Sequence, residues 1–279
     1  MLCYDFDVTS SFACICREMW SKVFSHGEPA LTAFQLKAKY GKPDGENNYV
    51  CFKSVAFGIY GPAAPTTIAS WDTPCFRTAL VRAYSDFVIR SLGLQHRTHY
   101  AQPTPPKTIR ITYMSRRATK EWPERKYCND QTSFFLCKLW EGFGPRRLGR
   151  MISNDAEVVR ALKSLSTNPE VGNNGEFQVI VQDVDYNVLT FEEQIGIDVQ
   201  TDIMVGPHGA GLMHNIFMPD RAALIELFVD GSSANRHFHN LAHWYGRIYE
   251  GQGMSNPVDI PQLLNIVKNT IHRVGVQSY

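Results

Sequence analysis

A chain of 279 residues, 44% hydrophobic and 20% charged, has the make-up of a globular protein with ample core for one large domain or two small ones. Its formal net charge of +1 provides no whole-chain basic field, which excludes an electrostatic case for nucleic acid as partner. No apolar run approaches the roughly 18 residues that a membrane-spanning helix needs, and Tyr4-Asp5-Phe6-Asp7 is acidic where a signal peptide is basic and then apolar, so the composition alone predicts a cytosolic protein.

Residues 10–24 carry Phe12, Ile15, Met19 and Val23 at helical spacing and predict a helix. Asp5-x-Asp7, and later Asp183-x-Asp185, have the form of a DxD metal motif at a frequency that chance accounts for. The seven cysteines, at 3, 14, 16, 51, 75, 128 and 137, form no CxxC pair, so a zinc ribbon is not expected. Residues 49–59 alternate and predict a strand. Residues 61–74, with Pro62, Pro65 and Pro74, read as a long ordered loop of the kind that often carries function. Trp71 and Asp72 lie in it, and Asp72 is a candidate general base by its chemistry. A helical period runs through Leu80, Tyr84, Val88 and Ser91 and ends at Gly93, a natural C′ glycine. The polar, proline-rich residues 95–107 then read as a linker between a first domain, 1–100, and a second, 107–279.

Residues 108–114 alternate strictly and predict a strand with Ser115-Arg116-Arg117 at its carboxyl end. Ligands of open α/β sheets gather at such ends, and two guanidinium forks there suit a diphosphate; a solvated basic turn is the other reading. Arg150 closes a basic stretch, and Ser153, Asn154 or Asp155 can cap the helix that follows. Residues 177–181 predict a buried strand, and Thr190 with Glu193 forms a capping box for the next helix.

Residues 202–215 carry the strongest signal. An acid and a short apolar run predict a buried parallel strand that Gly206-Pro207 stops. His208-Gly209-Ala210-Gly211-Leu212 then turns into an amphipathic segment reaching Met218. A strand, a small-residue turn and a helix start leave backbone N–H groups facing an anion, so the turn reads as a pyrophosphate site with His208 adding a hydrogen bond or a charge. An ordinary tight βα turn has the same spacing. Glu226, near the end of a strand over 223–228, either accepts from ribose hydroxyls or pairs with an arginine. His237, His239 and His243 have metal spacing without an acidic or cysteine partner motif. A final helix over 260–274 starts with Asp259 and Pro261. Three or four strand–helix alternations after residue 107 predict an α/β protein with a Rossmann-like, doubly wound parallel sheet.

The run His208 to Leu212, followed by Asn215-Ile216-Phe217-Met218-Pro219 and Ala223 to Phe228, resembles family 61 of the glycosyltransferases. The Ser115-Arg116 strand end, Arg150-x-Ile152-x-Asn154 and the region from Cys51-Phe52 are similar to that family too, and residues 121–149 look like an insertion in it. The resemblance implies a GT-B-like fold whose C-terminal half binds a UDP-sugar, with an incomplete N-terminal α/β domain on the acceptor side. It implies inverting transfer of GlcNAc or xylose to a hydroxyl of a glycoprotein or glycan. The donor contacts it carries over are Arg116 or Arg117, Arg150, Asn154, His208, Gly209, Ala210, Gly211, Leu212 and Glu226. Positive groups around the diphosphate stand in for a metal, so no obligatory cofactor is expected. His208 and Asp72 are the candidate bases, and Trp71-Asp72 either faces a sugar or covers the core. The family also implies a Golgi or endoplasmic reticulum lumen location and an N-terminal anchor absent from this chain. In such a lumen the wide cysteine spacing fits two or three disulfides with one cysteine left over, Cys51 with Cys75 and Cys128 with Cys137 being the candidate bridges, or simply buried thiols. The family's early Asn/His motif has no counterpart here, which leaves a non-catalytic nucleotide-sugar-binding or degenerate lumenal scaffold as the alternative.

Overall fold

A computed structural model describes residues 19–25, 39, 79–96, 108–116, 151–168, 171, 177–186, 189–229 and 236–275. The chain divides into two units, Met1–Ala64 and Pro65–Tyr279. In the first, a short π-helical turn, Trp20–Phe24, buries Val23 inside the stretch predicted as helical. Asp5-x-Asp7, the strand over 49–59, the loop over 61–74 with Asp72, Arg117, Arg150 and every cysteine lie outside the described residues.

The second unit is organised by five parallel strands: β1 Thr108–Met114, β2 Gln178–Val184, β3 Ile203–Pro207, β4 Ala223–Phe228 and β5 Ile248–Gly253. Their order is β2-β1-β3-β4-β5, so the direction of winding reverses between β1 and β3. The helices are α1 Ala79–Ser91, α2 Asp155–Ser164, α3 Phe191–Asp198, a 3-10 helix Ala210–Phe217 (the turn helix), α4 His237–Tyr245 and α5 Ile260–Gly275.

Strand alternation sorts the core into two layers. Ile109, Ile111, Ile203, Val205, Ile225 and Leu227 face one side, where they pack with Val158 and Leu162 of α2 and Leu263, Val267 and Ile271 of α5. The intervening residues, among them Thr112, Met204, Leu224 and Glu226, are equally buried on the other side, which the turn helix and α4 cover. A sheet covered on both faces needs near-continuous apolar strands, and β3 and β4 are buried at every position.

Local signals formed as read at several places. Thr190 and Glu193 make the reciprocal capping box of α3. Gly93 has φ +68 in the left-handed region that ends α1. Asp259 caps α5 through Gln262 N–H at 2.9 Å, although that helix begins at Ile260, one residue ahead of Pro261. The acid before β3, Asp202, accepts from the Arg110 N–H at 2.8 Å and so pins the β1–β3 register at its amino end.

Two readings are corrected. Gly206-Pro207 does not stop β3: both residues pair with β4, Gly206 opposite Glu226 and Pro207 opposite Leu227. Pairing with β1 ends at Val205, so the N–H that proline lacks falls on the side where β1 has already run out. Asn154 occupies the N-cap position of α2 without capping it. Its amide instead holds the loop after β5, accepting from Val258 N–H at 2.9 Å and donating to Val258 C=O at 3.0 Å.

The helix ahead of the linker is fastened to this same unit. Tyr245 of α4 donates to the Val81 carbonyl at 2.7 Å, Arg82 pairs with Asp220, and the His96 Nε2 bonds the Phe217 carbonyl at 3.1 Å. Arg247, between α4 and β5, donates to the carbonyls of Met218 and Pro219, so the end of the turn helix is held both from the α1 side of the chain and from the α4–β5 connection.

Candidate donor-binding site

The strands around the reversal have unequal reach. β1–β2 pairing continues to Met114 and Val184, and β3–β4 pairing continues to Pro207 and Leu227, whereas β1–β3 pairing ends at Tyr113 and Val205. The crevice of a doubly wound sheet, where such folds take their ligands, falls at this reversal, between the carboxyl ends of β1 and β3.

The glycines of the turn meet the end of β1 across this crevice. A Cβ on Gly209 would lie 3.2 Å from Cζ and Nη1 of Arg116 and 3.4 Å from Nη2. One on Gly211 would lie 2.8 Å from the Met114 Cε, and one on Gly206 would lie 3.2 Å from the Cβ of Met114. Part of the glycine signal thus has a packing cause: side chains of β1 occupy the space that Cβ atoms would take. The result still brings a guanidinium against the backbone of the turn. Arg116 and Gly209 are thus neighbours at the carboxyl end of the sheet.

Gly209 is extended, with φ 164 and ψ 168, and the turn helix begins at Ala210. The Leu212 N–H is bonded to the Gly209 carbonyl at 2.9 Å, so it is engaged within the first turn and is not among the anion-facing groups. The leading N–H groups of a 3-10 helix have no intrahelical acceptor, which leaves those of Ala210 and Gly211 at its amino end.

His208 stands directly before this turn with its side chain 5% exposed. Its ring stacks on Phe228, centroids 5.3 Å apart at 25°, and tilts against Phe238 at 5.4 Å. Nδ1 bonds the Oε1 atom of Glu226, and the Tyr249 hydroxyl donates to Oε2 of the same carboxylate at 2.7 Å. Burial, joined by the Glu226 charge, pushes the Tyr249 phenol far above its ordinary range, so it serves as a donor. Glu226 is fully buried with one oxygen on His208 and the other on Tyr249. Its partners in the protein are thus a histidine and a tyrosine and not an arginine. Its strand position was legible from sequence; Tyr249, two residues into β5, was not singled out.

A second carboxylate repeats the pattern beneath the turn helix. Asp198, fully buried, takes His214 Nδ1 on Oδ2 at 2.5 Å and the Tyr186 hydroxyl on Oδ1 at 2.5 Å. Burial raises the Asp198 carboxyl, opposed by the His214 charge and by both hydrogen bonds. This cluster ties α3 to the turn helix, and sequence reading missed it because its members lie in α3, in the turn helix and in the stretch after β2.

Among the described residues no group of three or more His, Cys, Asp or Glu side chains gathers as a metal site. His239 and His243 stack on each other with centroids 6.2 Å apart, and His239 Nδ1 bonds the Asn240 Oδ1 at 2.8 Å. Asn154 lies on the α2–Val258 clamp described above, while Asp72, Arg117 and Arg150 fall outside the described residues. No helix among the described residues is long and apolar enough to cross a membrane.

An all-parallel doubly wound sheet, with an arginine and a glycine turn meeting at its reversal point, places the chain among the α/β proteins, and ligands of doubly wound sheets gather at that point. The sequence pattern of the family described as Glycosyltransferase 61 matches residues 71–225, more than half of the chain, and the chain belongs to that family. It is 30% identical over 202 residues to the EGF domain-specific O-linked N-acetylglucosamine transferase of Drosophila melanogaster, covering 70% of this chain and 29% of the relative. The proteins of the same description from Xenopus laevis and Mus musculus are each 32% identical over 189 residues, covering 66% of this chain and 27% of theirs. The chain thus spans less than a third of the length of these relatives.

Proposed function

We propose that the Pro65–Tyr279 unit is the donor-binding part of an inverting, GT-B-type glycosyltransferase that takes a UDP-sugar and delivers GlcNAc or xylose to a hydroxyl of a glycoprotein or glycan. The observation that carries this reading is the approach of the Arg116 guanidinium to the Gly209 backbone at the β1–β3 crevice. A fixed cation beside the N–H groups of Ala210 and Gly211 suits a diphosphate, and aligned donors are what a departing UDP needs as negative charge develops on it. The relatives, described as N-acetylglucosamine transferases acting on EGF domains, support GlcNAc as the first sugar to test.

In single-displacement inversion the base works on the acceptor side of the anomeric carbon and the leaving group departs on the other. His208, next to the phosphate-facing turn, belongs with the leaving-group side. The base then comes from the acceptor side, where Asp72 is the candidate that the sequence offers. The secretory-pathway lumen is the expected setting, and fixed positive groups make a metal dispensable for donor binding.

Calorimetric titration with UDP, with and without EDTA, tests the reading on wild type and on Arg116→Ala. Micromolar binding that ignores EDTA and falls at least tenfold in the variant is the expected result. Absence of binding by folded wild-type protein refutes it. Binding without transfer to any EGF-domain or glycan acceptor would favour the non-catalytic scaffold.

A further inference from the structure

Glu226 is the one fully buried carboxylate of the sheet strands, and no catalytic step above employs it. A carboxylate is costly in such surroundings unless it is well bonded, and this one is bonded on both oxygens. The two bonds differ in kind. Tyr249 has a single proton and one stable protonation state, so it orients the carboxylate. The imidazole of His208 has two nitrogens, and in the neutral ring only one carries a proton. A carboxylate accepts and cannot donate, so the nitrogen facing it must be the one with hydrogen. The Phe228 and Phe238 rings against the imidazole restrict it from turning over to exchange its edges.

We infer that Glu226 is a positioning residue for the donor site: its carboxylate holds the Nδ1–H edge of His208 in the interior and thereby reserves Nε2 for the diphosphate of the donor. This rests on the reading of the His208–Gly211 turn as the diphosphate site. It explains why an acid occupies a strand position buried between apolar neighbours, Ile225 and Leu227, at the register point opposite Gly206 of the turn-bearing strand. Two further features fit the same role. The carboxylate lies on β4 and the imidazole on the residue that follows β3, whose N–H bonds the Leu227 carbonyl at 2.9 Å, so the sheet edge fixes their spacing. Gly251 also leaves room for the Tyr249 ring, because a Cβ there would lie 2.4 Å from the hydroxyl oxygen.

Long-range nitrogen–proton NMR of the histidine rings tests this, with His208→Gln used to identify the resonance. The expected wild-type pattern is protonated Nδ1, with addition of UDP moving the Nε2 signal and leaving the Nδ1 signal in place. A wild-type ring protonated on Nε2 alone, with bare Nδ1, overturns the inference without any variant. Glu226→Leu, which fills the space and removes the acceptor, should release the Nδ1–H preference and weaken UDP about tenfold. Glu226→Gln, whose amide oxygen still accepts from Nδ1, should restore both the tautomer and most of the affinity. UDP affinity unchanged in a folded Glu226→Leu protein, while Arg116→Ala abolishes binding, overturns the role of Glu226 and leaves the site standing. Failure of wild type to bind UDP removes the site and this role with it.

Discussion

Substituting Gly209 by alanine separates a binding role for the turn from a packing role. The new Cβ would stand 3.2 Å from Cζ and Nη1 of Arg116, where ordinary contact begins at 3.4 Å, so the guanidinium must retreat by a few tenths of an ångström. The backbone itself is not strained, because φ 164 is extended and open to any residue. Stability should hold or rise by about 0.4–1 kcal/mol, the usual gain from restricting the unfolded chain. Charge-assisted hydrogen bonds are worth about 1.5–3 kcal/mol and weaken with misalignment. Losing about 1–2 kcal/mol of that in the bound state corresponds to a UDP dissociation constant roughly five- to thirtyfold higher. Calorimetric titration paired with thermal unfolding reads both quantities on one sample. Gly253→Ala is the control, since a Cβ there meets nothing within 4 Å, and affinity should change less than about twofold. Wild-type UDP affinity in Gly209→Ala would refute the assignment of Arg116 to the diphosphate, and so would a loss of affinity matched by a loss of stability.

Three further expectations concern the scaffold. Burial, with Arg247 adding to it, holds His96 below its ordinary value of 6.5, so the unfolded chain binds the proton more tightly than the fold does. Stability from His96 is present above 6.5 and is lost as pH falls through the lower folded value, and denaturant titrations from about pH 5 to about pH 7 should show a slope that His96→Gln lacks. Thr190→Ala removes the capping box of α3 and should cost about 1 kcal/mol in denaturant unfolding, with UDP affinity kept. Asn154→Ala breaks both bonds to Val258 and should cost about 1–3 kcal/mol; a large loss of UDP affinity at unchanged stability would instead support Asn154 as a donor contact.

What the sequence made legible was what local chemistry decides. The capping box at Thr190, the left-handed glycine at Gly93 and the strict alternation of residues 108–114 each depend on neighbours within a few positions. The His208–Gly211 turn and the Arg116 strand end were also found, and the sheet brings them together. What escaped depends on partners distant along the chain. Glu226 could not be assigned from its own strand, because its role is set by a histidine 18 positions earlier and a tyrosine 23 positions later. Pro207 read as a strand stop because the rule for proline assumes a neighbour on each side, and β1 ends before reaching it. The glycines read as space for a phosphate, while part of their cause is Met114 and Arg116, which arrive from almost a hundred residues upstream and sit where Cβ atoms would be.

The grip of α1 on the turn helix decides where this unit can be cut. A fragment starting at Lys107 would keep all five strands, yet it would arrive without Val81, Arg82 and His96, each of which holds the turn helix, the segment after it or α4. It would also lack Val88 and Ile89, whose side chains are wholly buried in the complete chain. The proline-rich stretch over 95–107 looks like a seam in the sequence, but the seam that the contacts respect lies ahead of Ala79. Swapping or isolating this half of the chain therefore calls for a junction upstream of α1, where the helix travels with the crevice it braces.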